Sequence, residues 1–421
     1  MQPTRLVPLA LLVLVPAPAA AADDFALRDG DTVVFLGDSI TAARTYGKVI
    51  ENYTLLRYPG RKSRFVNAGL GGDTAAGGLR RMETDVFAYN PTVVTVAYGI
   101  NDIGWGARAD DAHKKAYLDG IRGIVTACKK RGVRVYVCSA AVTAEDPARS
   151  EDGFLQRMCD EGMELSRSLG GNAIDVQRTM RAIQKKVWAA NAKVLDKSKH
   201  DTLHAPDGVH LNDLGQLAMA FAILKGLGAP ADVSSVAVDA AGPQLLAATG
   251  CSVTGLAAKD GAIEFTRLDD GLPFNYGIFY PLHYRYVPVP DELNRYLLTV
   301  AGLADCRYEV AADGRGIGVF TARQLAAGVN IASATPDPWQ PGGPWDAQAS
   351  VLKSLTDARH EIATATVQSR AYLPGSPAAG ELARQAAEFD DRIVEMQRTA
   401  AKPRPYRFVI KRHEPPAEKK D

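Results

Sequence analysis

The sequence predicts an α/β protein: a three-layer α/β/α domain on a parallel sheet, then a small β-sandwich-like module and a helical C-terminal segment. Three observations lead there. Short runs of β-branched and aromatic residues alternate with longer helix-patterned stretches as far as residue 228. A Gly/Ala/Pro stretch at 226–232 follows, and beyond it the pattern changes to short strands and turns. After a Pro- and Trp-rich connector at 336–345, it becomes helical. The expected divisions are a leader at 1–22, the α/β domain at 23–228, a β-rich module at 229–335 and a helical extension at 336–421 that ends in a disordered charged tail.

The chain has 421 residues, 46% of them hydrophobic and 23% charged, the balance of an ordinary globular protein with a sizeable core. A formal net charge of +1 gives no electrostatic case for nucleic acid or an anionic membrane surface as partner. Arg5, the apolar run 6–15 and the small residues 16–22 read as a secretory signal peptide. An apolar run of about ten residues is too short to span a bilayer as a helix, so cleavage is expected rather than stable membrane insertion. The mature protein is then periplasmic or extracellular. The five cysteines show no CxxC or metal-ligand spacing and read mostly as small buried hydrophobes, with one disulfide allowed. Neither a metal nor a cofactor is expected.

Residues 33–36 read as a buried strand that Gly37 breaks, with Asp38 and Ser39 where a helix can begin. A serine there lies on the ligand side of an α/β sheet, near the free N–H groups of a helix start. The same turn also serves as a plain helix cap. A second strand, 64–67, leads into Gly69-Leu70-Gly71-Gly72-Asp73-Thr74, where the glycines let the backbone approach a ligand and Asp73 or Thr74 can cap a helix. The third strand, 91–98, ends in Gly99-Ile100-Asn101-Asp102, and Asn101 is either an Asx-turn residue or an oxyanion donor. A helix at 112–130, a strand at 133–139, a helix at 153–169 and a short strand at 173–176 continue the alternation. Asp207-Gly208-Val209-His210-Leu211-Asn212 then precedes a last helix, 213–227, capped by Asn212. An Asp and a His three apart on a turn can meet one serine, the Asp binding one imidazole nitrogen and the other facing the hydroxyl. His200 and His204 lie nearby but lack the spacing of a known metal site.

Gly37-Asp38-Ser39, Gly72-Asp73-Thr74, Gly99-Ile100-Asn101-Asp102 and Asp207-Gly208-Val209-His210 occur in this order, each at a strand end or just before a helix. Together they resemble the SGNH (GDSL-type) hydrolase family of esterases and lipases, over roughly residues 30–228. The resemblance implies a flavodoxin-like domain with Ser39 as nucleophile, His210 as general base and Asp207 as its orienter. It implies oxyanion donors from the backbone N–H groups of Ser39 and Gly72 and from the side chain of Asn101. Gly72 is preferred to Gly71 because it directly precedes the Asp-Thr that opens the helix. Asp38 and Asp102 follow the same motifs and read as turn-shaping residues. The Gly-x-Ser-x-Gly elbow of the larger α/β-hydrolase family is absent around Ser39. Trp105, just past Asn101, is either a sugar-stacking surface or a loop anchor.

In the second half, strands are expected at 261–266, 296–300 and 306–310, and at 316–321 across an Asp313-Gly314 turn. Helices are expected at 322–327, 347–369 and 377–399, with a final strand at 406–410. The aromatic run 274–286 reads as either a carbohydrate-facing surface or lid, or as packing at the domain boundary.

The whole reads as an exported serine esterase acting on a small-molecule or polysaccharide ester, with deacetylation of a carbohydrate or glycoconjugate as the expected reaction. The alternatives are a lipid or thioester acyl hydrolase, an acyltransferase and a non-catalytic polysaccharide-binding protein on the same fold. The last would normally have lost a site residue, and Ser39, Asn101, Asp207 and His210 are all present. The sequence does not set the oligomeric state.

Overall fold

The first strand, β1 (Thr32–Gly37), is buried on both faces: Val33 and Phe35 face one apolar cluster, Val34 and Leu36 the other, and all four are fully buried. A near-continuous apolar run is what a central parallel strand requires. The computed structural model describes residues 24–414, so the leader and the residues after 414 lie outside the described part. After β1 come α1 (Ser39–Ala42), α2 (Thr45–Arg57), β2 (Arg64–Gly69), α3 (Ala75–Arg80), β3 (Val93–Ala97) and α4 (Asp111–Lys130). β4 (Arg134–Cys138), α5 (Phe154–Ser168), β5 (Asn172–Ile174), α6 (Val176–Asn191) and α7 (Asp213–Gly226) complete the first half.

The five strands form one parallel sheet in the order β2-β1-β3-β4-β5. This is the doubly wound flavodoxin-like order, whose ligand crevice opens at the carboxyl ends of the strands where the winding reverses, between β1 and β3. Ser39 follows β1 and Asn101 follows β3. The topology therefore brings both to the crevice.

The second half holds two sheets. β6 (Asp232–Asp239), β7 (Gln244–Thr249), β8 (Cys251–Lys259), β9 (Ala262–Asp269), α8 (Val289–Glu292), β10 (Arg295–Ala301), β11 (Arg307–Ala312), β12 (Arg315–Thr321), α9 (Ala322–Ala327) and β13 (Val329–Asn330) run in chain order. Two long helices, α10 (Pro344–Tyr372) and α11 (Pro377–Ala401), precede the last strand, β14 (Tyr406–Arg412). The sheet orders are β13-β10-β6-β7 and β12-β11-β14-β9-β8. β11 and β12 turn through Asp313 and Gly314, both at positive φ (46° and 76°), as an Asp-Gly hairpin requires.

Trp345, at the start of α10, is fully buried against Tyr296 of β10 and Phe408 of β14 and so joins the two sheets. A fully buried ion pair, Arg267 to Asp269 at 2.8 Å, ties them further, with Tyr296 donating to Asp269 (2.7 Å) and Arg267 donating to Leu297 O (3.2 Å).

Two expectations change here. β14 lies in the middle of its sheet, between β11 and β9. The division at 335/336 therefore separates a strand from the sheet it completes. The stretch at 226–232 is also less a linker than a junction. Leu272 N–H bonds to Leu56 O (2.8 Å), and Arg57 donates to Leu293 O (2.7 Å) and to Asp232 O. α2 is buried along nearly its whole length, since α10 and α11 cover its outer side: Arg359 and His360 reach Glu51 at 2.8 and 2.9 Å, and Thr356 donates to Asn52 at 2.6 Å. The aromatic run 274–286 follows its packing alternative in most members. Phe274, Tyr276, Tyr280 and Tyr286 are buried, and only Phe279 among its aromatics with large exposure faces solvent. All five cysteines are free thiols, so the allowed disulfide is not formed.

Candidate active site

Gly37 ends β1 because nothing larger fits. A Cβ there would meet Thr41 Oγ1 at 2.2 Å and Ala97 O at 2.8 Å. Asp38 then caps α1 through Ile40 N–H (2.9 Å), and Ser39 is the first helical residue. This places the Ser39 hydroxyl at the strand's carboxyl end. His210 Nε2 lies 2.9 Å from Ser39 Oγ, and His210 Nδ1 lies 2.6 Å from Asp207 Oδ2. The other Asp207 oxygen accepts from the N–H groups of Val209 and His210, both at 2.9 Å. One carboxylate thus shapes the turn and orients the ring. These bonds hold Asp207 down at about 2, the Val209 N–H contributing most and the His210 ring next. Gly208 makes the turn at φ 73°, and Ala144 N–H ties it to the neighbouring loop at 2.8 Å.

Asn101 and Gly72 come together in the second part of the site. Gly72 stands at φ 73°, a conformation that suits glycine, in the turn closed by Asp73 N–H to Leu70 O (3.2 Å). Asn101 Nδ2 donates to Asp73 O at 3.0 Å, which uses one of its two amide hydrogens. Asp102 accepts from Ala75 N–H at 3.0 Å and so joins the β3 loop to the start of α3. Thr74 caps α3 through Gly77 N–H (3.2 Å). Asp38 and Asp102 are both buried, and that burial raises each to about 6.

Trp105 has both anchoring and site contacts. Its indole N–H donates to Asn101 Oδ1 at 2.9 Å, and its ring packs edge-to-face on His210 with centroids 5.6 Å apart. Its backbone is at positive φ (57°), uncommon outside glycine, and half of its surface is exposed. His200 and His204 each bond a backbone carbonyl, Val194 O at 2.9 Å and Val142 O at 3.0 Å.

Arg81 and Tyr98 belong to the site and carry no motif. Arg81 pairs with Asp73 (2.7 Å), and donates to Gly37 O (3.1 Å) and to Tyr98 Oη (2.8 Å). Tyr98 in turn donates to Asp73 (2.9 Å). With Leu70 N–H on Gly37 O at 3.0 Å, this network fixes the Gly72–Asp73 turn against the end of β1. The only sequence signal was a tyrosine closing the third strand; Arg81 looks like any basic residue ending a helix.

A serine hydroxyl bonded to an imidazole that is bonded to a carboxylate, beside a loop offering backbone and amide N–H groups, defines a serine hydrolase site. Residues 35–218 match the model of the GDSL-like lipase/acylhydrolase family. The chain therefore carries a domain of that family and is a carboxylic-ester hydrolase. Among solved structures, BT4096, a gut microbial diltiazem-metabolizing enzyme, is similar over 92% of this chain and 98% of its own, at 22% identity and a TM-score of 0.79. That likeness extends the shared fold through the C-terminal half. Axe2, an acetylxylan esterase from Geobacillus stearothermophilus, matches 48% of this chain and 95% of its own at 21% identity and a TM-score of 0.39. The acetyl xylan esterase AlAXEase matches 46% and 98% at 25% identity and a TM-score of 0.39. No curated protein matches the sequence.

Proposed function

We propose that the protein is an exported serine esterase that removes a small acyl group, such as acetyl, from a carbohydrate or glycoconjugate. The observation that carries the catalytic part is the unbroken relay Asp207–His210–Ser39, at 2.6 and 2.9 Å, at the crevice of the parallel sheet. Ser39 Oγ attacks the ester carbonyl while His210 Nε2 takes its proton, and Asp207 steadies the imidazolium that forms. The backbone N–H groups of Ser39 and Gly72 and the remaining amide hydrogen of Asn101 receive the developing oxyanion. His210 then returns the proton to the leaving alcohol, and water, activated by the same base, releases the acid from the acyl-enzyme. No step draws on a metal or cofactor.

The substrate part is supported by the signal-like leader and by the half-exposed Trp105 ring beside His210, a surface on which a sugar can stack. Among the described residues, no helix is long and apolar enough to cross a membrane. A p-nitrophenyl acetate-to-octanoate rate series tests the acyl preference, with acetate release from acetylated oligosaccharides measured alongside. The reading expects a sharp fall in rate beyond short chains and acetate release from the sugar. Rates that rise with chain length, with no release from the sugar, would move the assignment to a lipid acyl hydrolase.

A further inference from the structure

Trp105, which packs on His210, also lines a cavity of about 190 Å³ beside the site. Ligand pockets for whole drug-sized molecules run from roughly 300 Å³ upward, so this one has room for a single ring-sized group. Ile100, Ile103, Val142 and Leu155 give it an apolar wall. Gln177 and Arg181 also line it, one helical turn apart on α6 and so on one face of that helix.

These two side chains are buried polar groups whose bonding is incomplete. Gln177 is 3% exposed, and its side-chain oxygen has no hydrogen-bond partner. Arg181 is 2% exposed, and its partners are all neutral: Ser150 Oγ at 3.3 Å, Ser150 O at 3.2 Å and Gln156 Oε1 at 2.8 Å. A guanidinium has five N–H donors, so these bonds leave it with donating capacity. The nearby carboxylates are engaged elsewhere. Asp160 and Asp175 pair with Arg178 at 2.7 Å, and Glu151 pairs with Lys185 at 2.7 Å. Glu145, the acid in the lining, is exposed to solvent. A buried cation held only by neutral groups is costly unless an anion meets it, and a buried carbonyl oxygen without a donor is costly as well.

We propose that this cavity is a substrate subsite for a group bearing a carboxylate and a hydroxyl, such as an acidic sugar ring, with Arg181 binding the carboxylate and Gln177 accepting from the hydroxyl. The proposal rests on the esterase reading, because it assigns the cavity to the substrate that Ser39 attacks. The apolar wall faces the ring carbons. The Ala144–Gly208 bond ties the loop carrying Val142 and Thr143 to the turn that carries His210, so an occupant of the cavity is registered against the relay.

The test reads binding in a Ser39→Ala background, where no turnover intervenes. Calorimetric titration with methyl glucuronoside and with methyl glucoside is expected to show saturable binding of the acidic sugar, at least about tenfold tighter than the neutral one. Arg181→Gln removes that preference, and Arg181→Lys restores part of it by keeping the charge without the planar fork. Thermal unfolding checks that each variant is folded. If Arg181→Gln is not, Gln177→Leu carries the test and weakens binding of the acidic sugar several-fold. No saturable binding of the glucuronoside, equal binding of the two sugars, or a preference that survives in folded Arg181→Gln overturns the proposal. Absence of p-nitrophenyl acetate turnover by the parent chain would instead overturn the esterase reading, and the binding result would stand by itself.

Discussion

Asn101 has one amide hydrogen on Asp73 O and its oxygen on the Trp105 indole, so its remaining N–H is aimed by two bonds rather than one. A donor fixed in advance acts where charge develops, in the transition state more than in the ground state. Asn101→Ala is therefore expected to lower kcat on the order of 10² to 10³ with little change in KM. Trp105→Phe keeps the ring against His210 but removes the indole donor, and the loss of about 1 kcal/mol corresponds to a roughly fivefold fall in kcat. Steady-state kinetics on a p-nitrophenyl ester separates the roles: a raised KM at constant kcat would make Trp105 a substrate contact instead. Ser39, Asn101, Asp207 and His210 were legible in the sequence because each sits at a strand end or helix start, where a few neighbouring residues dictate the turn. Arg81 and Tyr98 were not, because their purpose lies in partners far along the chain, Gly37 and Asp73.

At the scale of elements, α2 shows what burial does to charge. Burial is the largest single influence on the Glu51 carboxyl and would raise it, but the Arg359 charge, the His360 ring and the Gln397 hydrogen bond together outweigh it and hold it at about 2. A carboxylate depressed in the fold adds stability that is present above its ordinary 4.5 and is lost as pH falls toward 2. Asp38 and Asp102 work the other way. Raised to about 6, they favour the fold below their ordinary 3.8, and that contribution is lost as pH rises through about 6. Glu51→Gln, which leaves Arg359 paired with Asp390 but without Glu51, is expected to cost about 1.5–3 kcal/mol at neutral pH. Thermal unfolding of variant and parent from pH 7 to pH 2 should show that gap narrowing below pH 4.5. A gap constant across the range would mean that Glu51 is not ionised in the fold. None of this was visible in the sequence. Glu51 carries no local signal, since it meets partners more than 300 residues away.

For the molecule as a whole, the α/β half was readable because alternation of strand and helix in sequence is also adjacency in the sheet. The C-terminal half was not. Strands β9 to β12 and β14 and helices α9 to α11 could be located, but β6, β7 and β8 were not, and β14 pairs with β9 and β11 only after the chain has passed through α10 and α11. Local pattern carries no record of such a pairing. Removing everything after residue 335 takes away the central strand of one sheet, Trp345 from between the two, and the cover of α2. The truncated chain is expected to lose its cooperative thermal transition and its esterase activity together. A soluble fragment that unfolds cooperatively at the parent's midpoint would contradict the view that the two halves fold as one unit.

The central claim is that Ser39, driven by His210, is the nucleophile, and the most direct measurement is mass spectrometry of the protein after reaction with a fluorophosphonate probe. The account predicts a single covalent adduct on the peptide containing Ser39, absent in Ser39→Ala and lost in His210→Ala. Folded protein that gives no adduct, or one that persists in His210→Ala, would contradict it.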